Sequence, residues 1–243
     1  MSVYQFKTEL VGYRPKMWRR FQVESDITVA ELGFIVMTLY QMDGDHLMQI
    51  HYYQRGVTRS GRPSKRADRI GRFILDEDRW DERDESAHEF TLEQIPLGRH
   101  AFLVVHYDFG DDWMVKVTLE KVLEPTGVDV ELPHVLGGHG HGIIEDWGGP
   151  YALMDLAEEL EKKEGPAYER YREWMGLDDY DDEDEDEDEQ DVGGAGSAGA
   201  EDDEDEEVLL DLNYFNVGYM NVKVKTTPQF LEKLYEHRGK YRF

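Results

Sequence analysis

The stretch His100-Ala-Phe-Leu-Val-Val-His-Tyr-Asp-Phe-Gly-Asp-Asp-Trp-Met-Val-Lys-Val-Thr-Leu-Glu-Lys-Val122 decides the fold class. His100 to Tyr107 and Met114 to Val122 are rich in Val and Leu and read as strands. Asp108-Phe-Gly-Asp-Asp112 between them is too short for a crossover, so the pair reads as an antiparallel β-hairpin. Outward from it, Val3 to Val11, Met17 to Val23 and Leu47 to Tyr53 are further strands. Thr28-Val-Ala-Glu31 is a capping box, opening a helix whose apolar positions Leu32, Ile35, Val36, Leu39 and Tyr40 share one face. Helices are also expected over Pro150 to Lys163, Pro166 to Met175 and Thr227 to His237, with a short helix or turn over Glu89 to Ile95. Hairpin-linked strands with helices at intervals imply an α+β fold, mainly an antiparallel sheet with packed helices, not a doubly wound one.

The 243 residues are 40% hydrophobic and 12% aromatic, enough for a sizeable core. The net charge of −27 is unevenly placed: 19 Asp and Glu and no Lys or Arg fall between Asp178 and Glu207. The rest holds 35 acids against 27 bases, about −8. Residues 178–207 enclose Gly193-Gly-Ala-Gly-Ser-Ala-Gly199, and a segment this polar is expected to be disordered. The expected organisation is a main domain over 1–177, that acidic, Gly-rich linker, and a C-terminal piece over 208–243. The last piece, β-rich over Val208 to Val224 and then helical, is too small to fold alone and is expected to dock on the body. The absence of cysteine excludes disulfides, zinc–thiolate sites and cysteine nucleophiles, and suits a cytoplasmic location. No h-region or membrane-length apolar run is seen, so no membrane association is expected.

Two acidic turns carry the candidate chemistry. The first is the hairpin tip, Asp108, Asp111 and Asp112 between Tyr107 and Trp113, whose oxygens would suit a divalent cation or a cationic partner; turn chemistry alone also favours Asp and Gly there. The second is Glu145-Asp146 before Trp147-Gly-Gly149. Together they offer a ligand surface of Tyr107, Asp108, Asp111, Asp112, Trp113, Glu145 and Asp146, with His46 as a candidate base or metal ligand. His134, His139 and His141 in the Gly-rich segment 137–149 would ligate a transition metal less readily, since no H-E-x-x-H helix accompanies them.

Arg55 to Arg72 reads as a polar loop with seven bases, Arg55, Arg59, Arg62, Lys65, Arg66, Arg69 and Arg72, and one acid. It is the candidate contact for a protein or nucleic-acid partner through phosphates, and segment 178–207 would screen it. A nucleophile elbow, a dinucleotide fingerprint, a P-loop and an EF-hand are all missing.

Met17-Trp-Arg-Arg20, Asp45-His-Leu47, Tyr107-Asp-Phe-Gly-Asp-Asp-Trp113, Leu119-Glu120, and Gly137 through Glu145-Asp-Trp-Gly-Gly149 with Tyr151 together resemble the plasmid pRiA4b ORF-3-like family. Its members are also labelled TnpR-like passenger proteins of insertion elements. Order and spacing agree from about Tyr4 to Leu160. Ile143-Ile144 stand where the family has two prolines, Trp147 where a Cys is commoner, and His139 and His141 lie outside the pattern. The resemblance implies a compact α+β domain linked to plasmid or mobile-element biology. It supplies no activity, and no serine is placed as a recombinase nucleophile. The function expected is a non-enzymatic binding or accessory module. The alternatives are a metal-dependent hydrolase or nuclease using the same carboxylates, and a purely structural role for both motifs.

Overall fold

The computed structural model describes residues 2–58, 60, 62–79, 81, 84–124, 131–177 and 210–239. Eight strands form one sheet: β1 Val3–Leu10, β2 Trp18–Glu24, β3 Met48–Val57, β4 Pro63–Ile74, β5 Glu85–Ser86, β6 Ala101–Tyr107, β7 Trp113–Leu123 and β8 His134–His139. Their order is β5-β4-β3-β6-β7-β1-β2-β8, and every pairing is antiparallel except the two-residue β4–β5 contact. The helices are α1 Val29–Leu39, α2 Gly149–Lys162, α3 Pro166–Met175, α4 Val217–Lys223 and α5 Thr227–Gly239. The fold is α+β.

The alternation along the strands divides the sheet. Phe6, Phe21, Ile50, Leu103, Val105, Val115 and Val117 turn inward and are buried, while the residues between them turn to the other face. Helix α1 lies on the inward face and is buried over nearly its whole surface, as a helix enclosed between layers must be. Gly33 brings it down onto Met48 and Ile50 of β3, and Phe34 meets Tyr235 of α5, ring centroids 5.7 Å apart. Its capping box forms: Thr28 Oγ1 accepts from Glu31 N at 3.1 Å, and Glu31 Oε2 from Thr28 N at 2.6 Å.

Two compact units are distinguished. One combines Met1–Met154 with Leu212–Phe243; the other is Asp155–Asp211. Within the second, Glu159 Oε2 accepts from Ala167 N and Tyr168 N at 2.6 and 3.0 Å, capping the start of α3. Within the first, the C-terminal segment covers edge strand β8: Asn221 bonds both the N–H and the carbonyl of Val135, at 2.8 and 3.0 Å. Covering an edge removes a template for unwanted strand pairing.

Three expectations are corrected. Arg55 to Arg72 is not a loop: it belongs to the β3–β4 hairpin, where ladder hydrogen bonds override a polar composition. Gly137 to His139 belongs to β8 and pairs with β2; a Cβ at Gly138 would stand 2.6 Å from the Phe215 ring. The β-rich reading of Val208 to Val224 fails over Val217–Lys223, which is α4. Its signals are the Asn216 cap, whose Oδ1 accepts from Tyr219 N at 2.9 Å, and buried Met220 and Val224 one turn apart. The linker 178–207 and Arg59 lie outside the described residues.

Candidate functional site

The two acidic turns meet. Asp111 Oδ2 accepts from Gly148 N at 2.8 Å. Gly149 then passes so close to Asp111 that a Cβ there would lie 2.4 Å from the Asp111 carbonyl oxygen, and its φ is +84°. Only glycine tolerates both conditions. Beneath this lock, Trp113 and Trp147 are buried, and Trp147 Nε1 donates to the Ala152 carbonyl at 3.1 Å. Asp111 therefore serves the junction. Asp112, with φ +57°, turns to His106, whose Nε2 is 2.7 Å from its Oδ1.

Asp108 faces the other way. It adopts φ +51°, and its Oδ1 accepts from Gly110 N at 2.9 Å. Asp146 likewise holds φ +56°. The left-handed region costs an L-residue about 1 kcal/mol, somewhat less for Asp. In both cases the result is a carboxylate directed at His46, which sits in the turn between α1 and β3. His46 Nδ1 is 3.6 Å from Asp108 Oδ1, and its Nε2 is 3.4 Å from Asp146 Oδ1 and 3.8 Å from Glu145 Oε2. One ligand atom from each of His46, Asp108 and Asp146 lies within 4.8 Å of the others.

Tyr107, at the end of β6, organises the surroundings. Its hydroxyl lies 3.1 Å from Asp43 Oδ1 and 3.0 Å from Glu145 Oε1 as a donor, and accepts from Gly44 N at 3.2 Å. Glu145 Oε1 also accepts from Asp43 N at 2.8 Å, whereas Glu145 Oε2 is buried without a hydrogen-bond partner among the described residues. Burial, with the nearby Asp43 carboxylate, pushes the Glu145 carboxyl up to about 7. Burial and the Glu145 charge also push the Tyr107 phenol well above its ordinary value, so it stays a donor.

Helix α5 fixes the remaining wall. Tyr235 donates its hydroxyl proton to the His46 carbonyl; Arg238 donates to the same oxygen at 3.3 Å and to Asp45 Oδ1 at 3.1 Å. A cleft of about 670 Å³ opens here, lined by Asp45, His46, Leu47, Asp108, Phe109, Gly110, Leu234, His237 and Arg238. Asp43, Asp45, Tyr235, His237 and Arg238 were missed by sequence reasoning. The run Asp43-Gly-Asp-His46 was a signal for the first two; nothing local marked α5, more than 180 residues away.

The remaining candidates lie elsewhere. His139 and His141 present their carbonyls, at 2.7 and 3.0 Å, to the guanidinium of buried Arg19, which also bonds the Leu39 carbonyl at 2.9 Å. Burial lowers that guanidinium to about 10. Arg55, Arg62, Lys65, Arg66, Arg69 and Arg72 lie on the β3–β4 hairpin, and Arg72 pairs with Asp84 through Nε at 2.8 Å.

A family model described as plasmid pRiA4b ORF-3-like protein matches residues 2–189. The chain is 27% identical over 185 residues to the uncharacterized protein y4hQ of Sinorhizobium fredii, across 74% of this chain and 84% of that one. It is similar to the crystal structure of a protein of unknown function, MM3350 of Methanosarcina mazei Go1, with a TM-score of 0.58 and 27% identity. That likeness covers 72% of this chain and 89% of the other.

Proposed function

Because the chain belongs to the plasmid pRiA4b ORF-3-like family, whose relatives' names state no activity, we propose a function from the site itself: a binding module in which His46, Asp108 and Asp146 hold a divalent cation beside the α5 cleft. The supporting observation is the convergence of the three ligand atoms within 4.8 Å. A divalent ion brings two positive charges to a site where the carboxyl groups of Asp108, Glu145 and Asp146 gather, and it takes an imidazole nitrogen as a ligand. Asp111, Asp112 and Trp113 belong to the frame in this reading. Arg238, held by Asp45, gives the cleft a guanidinium on one wall that suits an anionic group on the ligand. A mixed nitrogen and oxygen donor set favours Zn²⁺ or Mn²⁺ over Ca²⁺.

Calorimetry and thermal shift with Zn²⁺, Mn²⁺, Mg²⁺ and Ca²⁺ test this. Saturable Zn²⁺ or Mn²⁺ binding is expected, adding about 2.7 kcal/mol of stability at a hundredfold excess over Kd. Asp146→Asn should abolish it; that side chain is 82% exposed, so folding is spared. No saturable binding, or wild-type titration by Asp146→Asn, overturns the reading.

A metal-dependent hydrolase is the second reading, favoured by Glu145 Oε2, a buried carboxylate oxygen beside the three ligands with no hydrogen-bond partner among the described residues. It would take a proton from a cation-bound water. Turnover of bis(p-nitrophenyl) phosphate with Mn²⁺, lost in Glu145→Gln while Mn²⁺ binding persists, would distinguish it from the binding module. An accessory role in plasmid or mobile-element biology is supported by the family's description alone. A cytoplasmic location is supported by the lack of cysteine; among the described residues no helix is long and apolar enough to cross a membrane.

A further inference from the structure

The far end of the sheet has the opposite chemistry. Pairing of β3 with β6 stops at Gln54 and Ala101, with a last bond from Arg55 N to the His100 carbonyl at 2.9 Å. Beyond that point the β3–β4 ribbon projects on its own and is closed by Thr58, whose N–H and hydroxyl donate to the Arg62 carbonyl at 2.7 and 2.8 Å. Arg62, Lys65 and Arg66 are exposed on this projection, and Arg69 lies just below them.

At the base of the ribbon a cavity of about 200 Å³ is lined by Arg55, Pro63, Arg99, His100, Phe102 and Lys116, among others. The Lys116 ammonium lies 4.8 Å and the Arg55 guanidinium 5.8 Å from the centroid of the same Phe102 ring. Among the described residues no carboxylate pairs with Arg55, Arg99 or Lys116, and Arg55 Nε is buried without a hydrogen-bond partner. Burial, and then the neighbouring Arg55, hold the Lys116 ammonium below its ordinary value. Edge protection explains lysine and arginine along β4. It does not explain cations crowded over β3 and β7, strands paired on both sides.

We propose that this ribbon and the cavity at its base form a binding surface for double-stranded B-form DNA, the ribbon lying in the major groove and Arg55, Arg99 and Lys116 receiving a backbone phosphate. Two strands about 4.8 Å apart with their side chains match a groove about 12 Å wide. The deep, narrow major groove of an A-form RNA duplex would not admit them. Single strands are bound by stacking bases on free ring faces, and here the faces are taken. Tyr53 stacks between His51 and Phe102, at 6.1 and 5.3 Å, and Lys116 approaches Phe102. Contacts are to phosphates, so sequence is read weakly. The charge of −27 does not forbid this, because charges farther away than about 8 Å are largely screened at physiological ionic strength.

Fluorescence anisotropy on the full chain tests the proposal with a labelled 20-base-pair DNA duplex, the matching RNA duplex and an oligo-dT of equal length. DNA duplex binding at 50 mM salt is expected, weakening at least about tenfold by 200 mM. Arg62→Glu/Lys65→Glu/Arg66→Glu, at exposed positions, should lose at least tenfold in affinity, and Lys116→Gln about threefold, with unchanged circular dichroism. Should the triple variant unfold, Arg62→Gln/Lys65→Gln replaces it, with at least a threefold loss expected. Absence of binding at 50 mM salt, equal affinity for the RNA duplex or oligo-dT, or wild-type affinity in a folded ribbon variant overturns it.

Discussion

The two ends of the β3–β6 ladder make a controlled comparison, since the same strands reach both. At the Met48–Tyr107 end, carboxylates gather, and the fold holds them: Asp108 by Gly110 N, Asp111 by Gly148 N, Glu145 by Asp43 N and the Tyr107 hydroxyl. At the Gln54–Ala101 end, cations gather without buried hydrogen-bond support among the described residues, and Arg66 meets only the exposed Asp68, at 3.6 Å. Held groups lose little freedom on binding and can discriminate by geometry, whereas long exposed side chains must be ordered by their ligand. The acidic end is therefore suited to a small, geometrically demanding ligand. The basic end is suited to a polyanion bound by charge and sensitive to salt.

The comparison breaks most visibly at Gly149. Gly149→Ala puts a methyl group against the Asp111 carbonyl in a left-handed backbone, and should cost roughly 3 kcal/mol in urea unfolding together with cation binding. Wild-type stability would mean that the lock between the turns does not set the acidic end's rigidity. His51, midway along β3, sharpens the boundary. Burial, and then Arg69, His106 and Arg72, hold its imidazole down at about 4 against an ordinary 6.5. Between those values the unfolded chain takes up a proton that the folded one refuses. Stability from His51 is thus full above pH 6.5 and lost as pH falls toward 4, by about 2 kcal/mol after allowing for screening. His51→Gln should flatten that part of the stability profile. An unchanged slope would show that the fold does not hold His51 neutral through this pH range.

How much of this was legible depends on distance along the chain. The Tyr107–Trp113 hairpin and the Thr28–Glu31 capping box are local, and the strand pattern and cap residues state them directly. The α+β class follows from the same signals. That Asp108 and Asp146 share a histidine, while Asp111 and Asp112 turn away, depends on left-handed backbone at Asp108, Asp112 and Asp146, which no periodicity encodes. The contribution of α5 is less legible still. Tyr235 reads as one residue of an amphipathic face, and only packing against Phe34 brings its hydroxyl to His46. The β3–β4 ribbon was misread for a related reason: a polar strand paired on one face carries no alternation of apolar residues to reveal it.

The smallest expected effects test the difference in support itself. Tyr107→Phe leaves Gly44 N without its acceptor and takes one of two donors from Glu145 Oε1, and should cost about 1–2 kcal/mol. At the basic end Arg62→Glu/Lys65→Glu takes no hydrogen bond or ion pair from a buried group among the described residues and should shift unfolding by less than about 0.5 kcal/mol. Paired denaturation curves measure both. Equal costs would mean that the ribbon's cations stabilise the fold, and the division into a held site and a free one would fail. Unequal costs in this order would leave Arg62 and Lys65 with no role in stability, so that their role lies in what they bind.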